Sequence, residues 1–169
     1  MDPNDAREAL ERALCDYTGA RYCVATTRCL TALQACCEYL KVQKVVIPER
    51  TYNGVPNAIY RGGGMVRFTD THWSGGFQLV PYPIFDYARR LTSGMYKKGQ
   101  FQCLSFGPNK VLDQGEGGAI LFDDPDARSF LRNIGHDGRT PCVHPRNDNF
   151  KIGMTCGPMK PWVATAILD

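Results

Sequence analysis

Apolar residues recur along the chain at two spacings, and the switches between them predict the layout. Leu10, Ala13, Leu14 and Tyr17 fall at helical spacing and predict a helix over 4–17. Asn4 or Asp5 can cap it, and Gly19 can stop it. The short apolar run 22–25 predicts a strand. Leu30, Leu33, Cys37 and Leu40 then return to the spacing of a buried helix face. Val45, Val46 and Ile47 predict a second strand closed by Pro48, and a helix follows over 55–60, ending at Gly62, Gly63 and Gly64.

Further strands are predicted at 65–68, 79–85, 101–106 and 119–122. Pro81 and Pro83 make the 79–85 strand irregular or place it near an edge. Pro125 is suited to open a helix that runs to about Asn133. From there to Gly157 the chain is polar and reads as a long loop, and 162–168 predicts a final helix. Strands alternating with helices predict an α/β fold with a mainly parallel sheet.

Composition narrows the class. The chain has 169 residues, 43% hydrophobic and 22% charged, which excludes disorder, collagen-like repeats and coiled coil. No run of about 18 apolar residues occurs, so no membrane span is expected. A net charge of +3 is too mild to argue for nucleic acid. The eight cysteines do not read as a disulfide framework. The N-terminus lacks the charged-then-apolar profile of a signal peptide, and Cys15, Cys23, Cys29, Cys36, Cys37 and Cys103 lie in apolar contexts. Reduced thiols in a cytoplasmic protein are therefore expected. There is no C-x-x-C pair. Cys142 and His144 with His136 offer a metal or thiol set that the spacing barely supports, so no metal is expected.

The sharpest chemistry lies in Ser105-Phe106-Gly107-Pro108-Asn109-Lys110, followed by Gly115-Glu116-Gly117-Gly118 and a strand. A lysine just beyond a buried strand, held by a glycine-rich loop, can be desolvated into an amine nucleophile. Taken alone, the motif reads first as an ordinary turn carrying a solvated lysine.

In order along the chain, these segments resemble the DegT/StrS-type sugar aminotransferases, pyridoxal-phosphate enzymes of the aspartate-aminotransferase fold. The lysine segment matches first. Tyr17 to Ala25 resembles the entry into the first strand, Thr31-Ala32-Leu33 the helix after the phosphate loop, and Val46-Ile47-Pro48 with Thr51-Tyr52 the segment that covers the cofactor ring. Phe68-Thr69-Asp70, Ile84 to Ala88, and Leu131-Arg132-Asn133 with Gly135-His136 continue the match.

The resemblance implies pyridoxal 5'-phosphate as cofactor, with Lys110 as the Schiff-base lysine and proton shuttle. It implies Asp86 on the pyridinium nitrogen, Tyr52 stacked on the ring, and Ser105 donating to the phosphate. The implied reaction is transfer of an amino group from an amino acid to a keto sugar in nucleotide-linked form. A non-catalytic descendant acting as a binding or assembly module is the alternative. A homodimer is implied, with no nucleic-acid or membrane partner.

The chain also departs from the family. Arg28-Cys29-Leu30 stands where the family carries Ser-Gly-Thr around the phosphate, and Arg28 can supply charge in its place. Arg89 replaces a neutral amide; beside Asp86 it can join the cofactor site or pair with the carboxylate. Gly153 to Gly157 replaces a Gly-x-Asn-x-Arg segment, and only a short link joins Asp70 to Asp86. The expectation is a three-layer α/β sandwich with a mainly parallel mixed sheet, a reduced large domain spanning residues 1–169. The family's C-terminal small domain is expected to be absent.

Overall fold

A computed structural model describes residues 3–136, 138–140, 143–148 and 157–168. The elements follow in the order α1 (Pro3–Thr18), β1 (Tyr22–Thr26), α2 (Cys29–Tyr39), β2 (Lys44–Pro48), α3 (Gly54–Arg61) and β3 (Met65–Thr69). Then come β4 (Phe77–Gln78), β5 (Ile84–Asp86), β6 (Phe101–Ser105), β7 (Gly118–Phe122), α4 (Pro125–Ile134) and α5 (Pro161–Leu168). A single 3-10 turn, Pro145–Asn147, lies in the expected long loop.

Five strands form one sheet in the order β1-β7-β6-β5-β4, and β2 pairs with β3. The two groups touch where Val46 N–H donates to Val80 C=O at 2.8 Å and Val80 N–H returns the bond at 3.1 Å. The α/β sandwich stands, but the sheet is not built mainly of parallel pairs. β1–β7, β6–β7 and β4–β5 are antiparallel, and only β5–β6 and β2–β3 are parallel. The reason is topological. β1, β2, β3, β5 and β6 run the same way, but β7 inserts between β1 and β6, and the segment leading to Val80 inserts between β5 and β2. Two reversed strands are enough to make most neighbours antiparallel.

The 79–85 strand also divides. The chain turns at Pro81–Pro83, where Tyr82 N–H donates to Leu79 C=O at 2.8 Å, so β4 and β5 form a hairpin. Two prolines that cannot donate to a ladder end the strand there.

Alternation along the strands explains the layers. In β7, Ile120 and Phe122 pack with α2, α3 and α4, while Ala119 and Leu121 pack with α1 and α5. β1 divides the same way, with Val24 on the first face and Cys23 and Ala25 on the second. All of β7 is buried, as a strand covered on both faces must be. Pro125 opens α4 after Asp124, whose carboxylate accepts the Asp126 N–H at 2.9 Å. Arg132 on α4 bonds Glu11 on α1 at 2.7 Å, and the Glu11 carboxylate also accepts the Ala25 N–H at 2.9 Å. Burial raises the Glu11 pKa against the opposing effects of these bonds.

β1, β2, β5 and β6 share a direction, so their carboxyl ends, with the segments that leave them, meet at one edge. That edge carries the candidate site. Among the described residues, no helix is long and apolar enough to cross a membrane.

Candidate functional site

The end of β5 supplies a carboxylate. Asp86 is 6% exposed, and its Oδ1 accepts the Ala88 N–H at 2.9 Å. Tyr87 N–H donates to Cys103 C=O on β6, which holds this turn against the neighbouring strand. Burial pushes the Asp86 carboxyl above its ordinary value, and the Ala88 bond and the positive charge of Lys110 pull it back.

Lys110 comes from the loop between β6 and β7, and that loop is closed by its own backbone. Phe106 N–H donates to Gly117 C=O at 3.0 Å, and Gln114 N–H donates to Phe106 C=O at 2.8 Å. The Asp113 carboxylate accepts the N–H groups of Asn109 at 2.7 Å and Gly115 at 3.1 Å. These two bonds hold its pKa below the ordinary value. Asn109 takes φ +60, a left-handed turn that asparagine tolerates, immediately before the lysine.

The glycine pair after Glu116 has a steric reason. Gly117 has φ +111, and its N–H donates to Thr27 C=O at 3.0 Å. A Cβ on Gly118 would lie 2.5 Å from Cys29 N and 2.6 Å from Arg28 C. The start of β7 therefore runs directly against the start of α2, and only glycine permits that approach. Arg28 stands at the N-cap of α2 and, having no side-chain oxygen, makes no side-chain cap bond to its first turn.

Two adjoining cavities gather the expected residues. Arg28 and Ser105 line one of about 420 Å³, and Arg89 lines one of about 670 Å³. Tyr52, Asp86, Ala88 and Lys110 line both. Tyr52 is 71% exposed, from the turn that enters α3. Ser105 Oγ accepts the Gly107 N–H at 3.4 Å. Among the described residues no ion pair joins Arg89 to Asp86, so the expected competition for the carboxylate does not arise. Arg89 follows the turn outward and is exposed, while Asp86 points inward.

Several residues here were not anticipated from sequence. Cys29 places its thiol 3.9 Å from Asp86 Oδ1 and 3.7 Å from Cys103 C=O. Arg50, His72 and Trp73 line the larger cavity. Arg50 adjoins the Thr51-Tyr52 pair and Cys29 lies in the altered Arg28-Cys29-Leu30 segment; nothing local marks His72 or Trp73. Of the thin metal set, Cys142 lies outside the described residues, as does most of the Gly153 to Gly157 segment. His136 Nε2 accepts from Arg7 at 2.7 Å, and His144 Nδ1 accepts the Arg146 N–H at 3.3 Å. Among the described residues no three His, Cys, Asp or Glu side chains converge.

A family profile described as the DegT/DnrJ/EryC1/StrS aminotransferase family matches residues 4–77 and 92–156. Arg28, Tyr52, Ser105 and Lys110 fall inside these stretches, and Asp86 and Arg89 fall between them. No curated protein sequence matches the chain. A DegT DnrJ EryC1 StrS aminotransferase from Brucella abortus superposes with a TM-score of 0.75 at 18% identity, covering 96% of this chain and 57% of that one. The sugar aminotransferase CalS13 from Micromonospora echinospora gives 0.73 at 14% identity, covering 96% and 58%. A 3-amino-5-hydroxybenzoic acid synthase gives 0.75 at 15% identity, covering 97% and 54%. The chain thus spans a little over half the length of these proteins.

Proposed function

From the premise that this chain belongs to the DegT/DnrJ/EryC1/StrS aminotransferase family, we propose that it binds pyridoxal phosphate and transfers an amino group from an amino acid to a keto sugar. The nucleotide-linked form of the sugar is part of the proposal, supported by the family's character rather than by any residue. The observation that carries the reading is the meeting of Asp86, from the end of β5, and Lys110, from the loop between β6 and β7, on the walls of the same two cavities.

The residues fit the cofactor. Asp86 is a buried carboxylate able to hold a proton on a ring nitrogen, and Tyr52 offers a flat face. Arg28 and Ser105, with the start of α2 behind Arg28, suit a phosphate. When bound, pyridoxal phosphate supplies an electron sink for the carbon that loses a proton. Lys110 Nζ would form the covalent link and, once displaced, take and return that proton. Asp86 would keep the ring nitrogen protonated through the turn that Ala88 N–H stabilises.

Residues 1–169 would act as one reduced large domain. A homodimer is part of the same reading, supported by the exposed apolar side chains Met65 and Phe68 on β3 and Tyr60 on α3. A reducing, cytoplasmic setting fits thiols that, among the described residues, are mostly buried in the core.

The test is spectroscopic. Purified protein mixed with pyridoxal phosphate should develop a visible band that borohydride fixes on Lys110, mapped by mass spectrometry. Lys110→Ala should abolish it, and glutamate should bleach it in the wild type. No band, with an unchanged melting temperature, would defeat the cofactor reading and leave a binding or assembly module. A band that glutamate does not bleach would mean a retained site without transfer.

A further inference from the structure

The larger cavity has a chemistry of its own. Arg50, Arg89 and Lys110 line it, and Asp86 is the one carboxylate among its lining residues. Asp86 is buried and already engaged by the Ala88 N–H. Arg50 Nε lies 3.9 Å from Glu49, but both side chains are at least half exposed, so the pair neutralises little. Arg89 enters no ion pair among the described residues. The space therefore presents an excess of positive charge beside the lysine.

Both arginines sit on fixed backbone. Trp73 Nε1–H donates to Arg50 C=O at 2.9 Å, and the Trp73 ring meets Phe77 edge-on at 5.0 Å. Glu49 N–H donates to Thr69 C=O at 2.9 Å, which ties the Arg50 segment to the end of β3. On the other wall, Arg90 N–H donates to Tyr87 C=O at 3.0 Å and closes the turn that carries Arg89. The Arg90 guanidinium stacks over the Tyr87 ring at 5.2 Å, whereas its neighbour Arg89 lines the cavity.

We propose that this larger cavity is a subsite for an anionic group of the substrate, a phosphate or a carboxylate, held by Arg50 and Arg89. It rests on the reading of Lys110 as the amino-transfer centre and moves Arg89 from the cofactor to the substrate. Guanidinium groups take either anion through paired N–H bonds, and Thr51 and Thr71 add hydroxyls to the same wall. The smaller cavity, with Arg28 and Ser105, remains for the cofactor phosphate. The two anion sites then share the Asp86–Lys110 pair but draw on different arginines, so cofactor and substrate charges do not compete for one guanidinium.

The experiment is calorimetric titration with uridine diphosphate and, separately, with glutarate, a dicarboxylate that carries no amine to transfer. It is run with and without pyridoxal phosphate. Tightest binding of the diphosphate assigns the subsite to a nucleotide-linked group; tightest binding of glutarate assigns it to the amino-acid donor. Arg50→Gln and Arg89→Gln should each weaken the preferred anion about tenfold or more, and Arg90→Gln should leave it within about twofold. The visible band with pyridoxal phosphate should form in all three variants. Wild-type protein that binds neither anion would overturn the proposal. So would arginine variants that bind like the wild type, or an Arg89→Gln protein that loses the band. If wild-type protein shows no band, the amino-transfer reading fails by itself, and the titration of cofactor-free protein still decides the subsite.

Discussion

The Cys29 thiol lies 3.9 Å from Oδ1 of Asp86, the oxygen that also accepts the Ala88 N–H at 2.9 Å. The first turn of α2 is thereby set against the end of β5, in the heart of the site. Cys29 is 7% exposed, and burial raises its thiol well above the ordinary value, with the Asp86 charge adding to the effect. The thiol is therefore held protonated, as an S–H facing a carboxylate.

Cys29 should accordingly resist alkylation in the native protein at neutral pH and react only after unfolding. Mass mapping after brief iodoacetamide treatment measures this. Modification of Cys29 as fast as the half-buried Cys15 would show that the contact with Asp86 is not maintained.

Asp86 links stability to pH in a definite sense. Its folded pKa lies above the ordinary carboxylate value, so the folded chain holds this proton to higher pH than the unfolded chain. The contribution to stability is then fullest at acid pH and is lost as pH rises from the unfolded pKa through the folded one. Asp86→Asn should therefore raise the melting temperature of cofactor-free protein at pH 7, with the difference shrinking toward pH 4. The same variant should form a weaker band with pyridoxal phosphate. A lower melting temperature at pH 7 would contradict the assignment of burial as the dominant effect.

Asp113 acts in the opposite direction. Its pKa is lowered by the Asn109 and Gly115 N–H groups, so its support of the lysine loop is present above the unfolded pKa and lost as pH falls through the lower folded value. Asp113→Ala should speed hydrogen exchange at the amides of Asn109 and Gly115 at neutral pH, and slow formation of the visible band. Exchange equal to that of the wild type would mean that the loop is held by other bonds.

Gly118→Ala tests the packing beneath the site. The new Cβ would meet backbone atoms of Cys29, Arg28 and Leu104 at 2.5, 2.6 and 2.9 Å, none of which can rotate away. A loss of about 3 kcal/mol is expected by urea unfolding, the upper range for overpacking. Gly115→Ala is the contrast, since nothing lies within 4 Å of its Cβ and only its φ of +75 opposes the change, costing about 1 kcal/mol. Equal losses in the two variants would remove the steric reason for the Gly117-Gly118 pair.

Local pattern was enough to place most elements and to single out Asp86 and Lys110, which line the same two cavities. Helix and strand periods are local, so α1, α2, β2, β6 and β7 fall within a residue or two of their expected bounds. Asp86 at a strand end and Lys110 after a strand were legible for the same reason, each marked by its immediate neighbours. Tertiary structure alone decided strand pairing, because one reversed strand between two others changes every neighbour relation without changing any local pattern. It also decided that Cys29 faces Asp86, and that Arg50 and Arg89 meet around one cavity without an ion pair to that carboxylate among the described residues. Those relations are set by the close approach of β7 to α2 and by the Asp86 turn. They join residues far apart in the chain, where spacing carries no information.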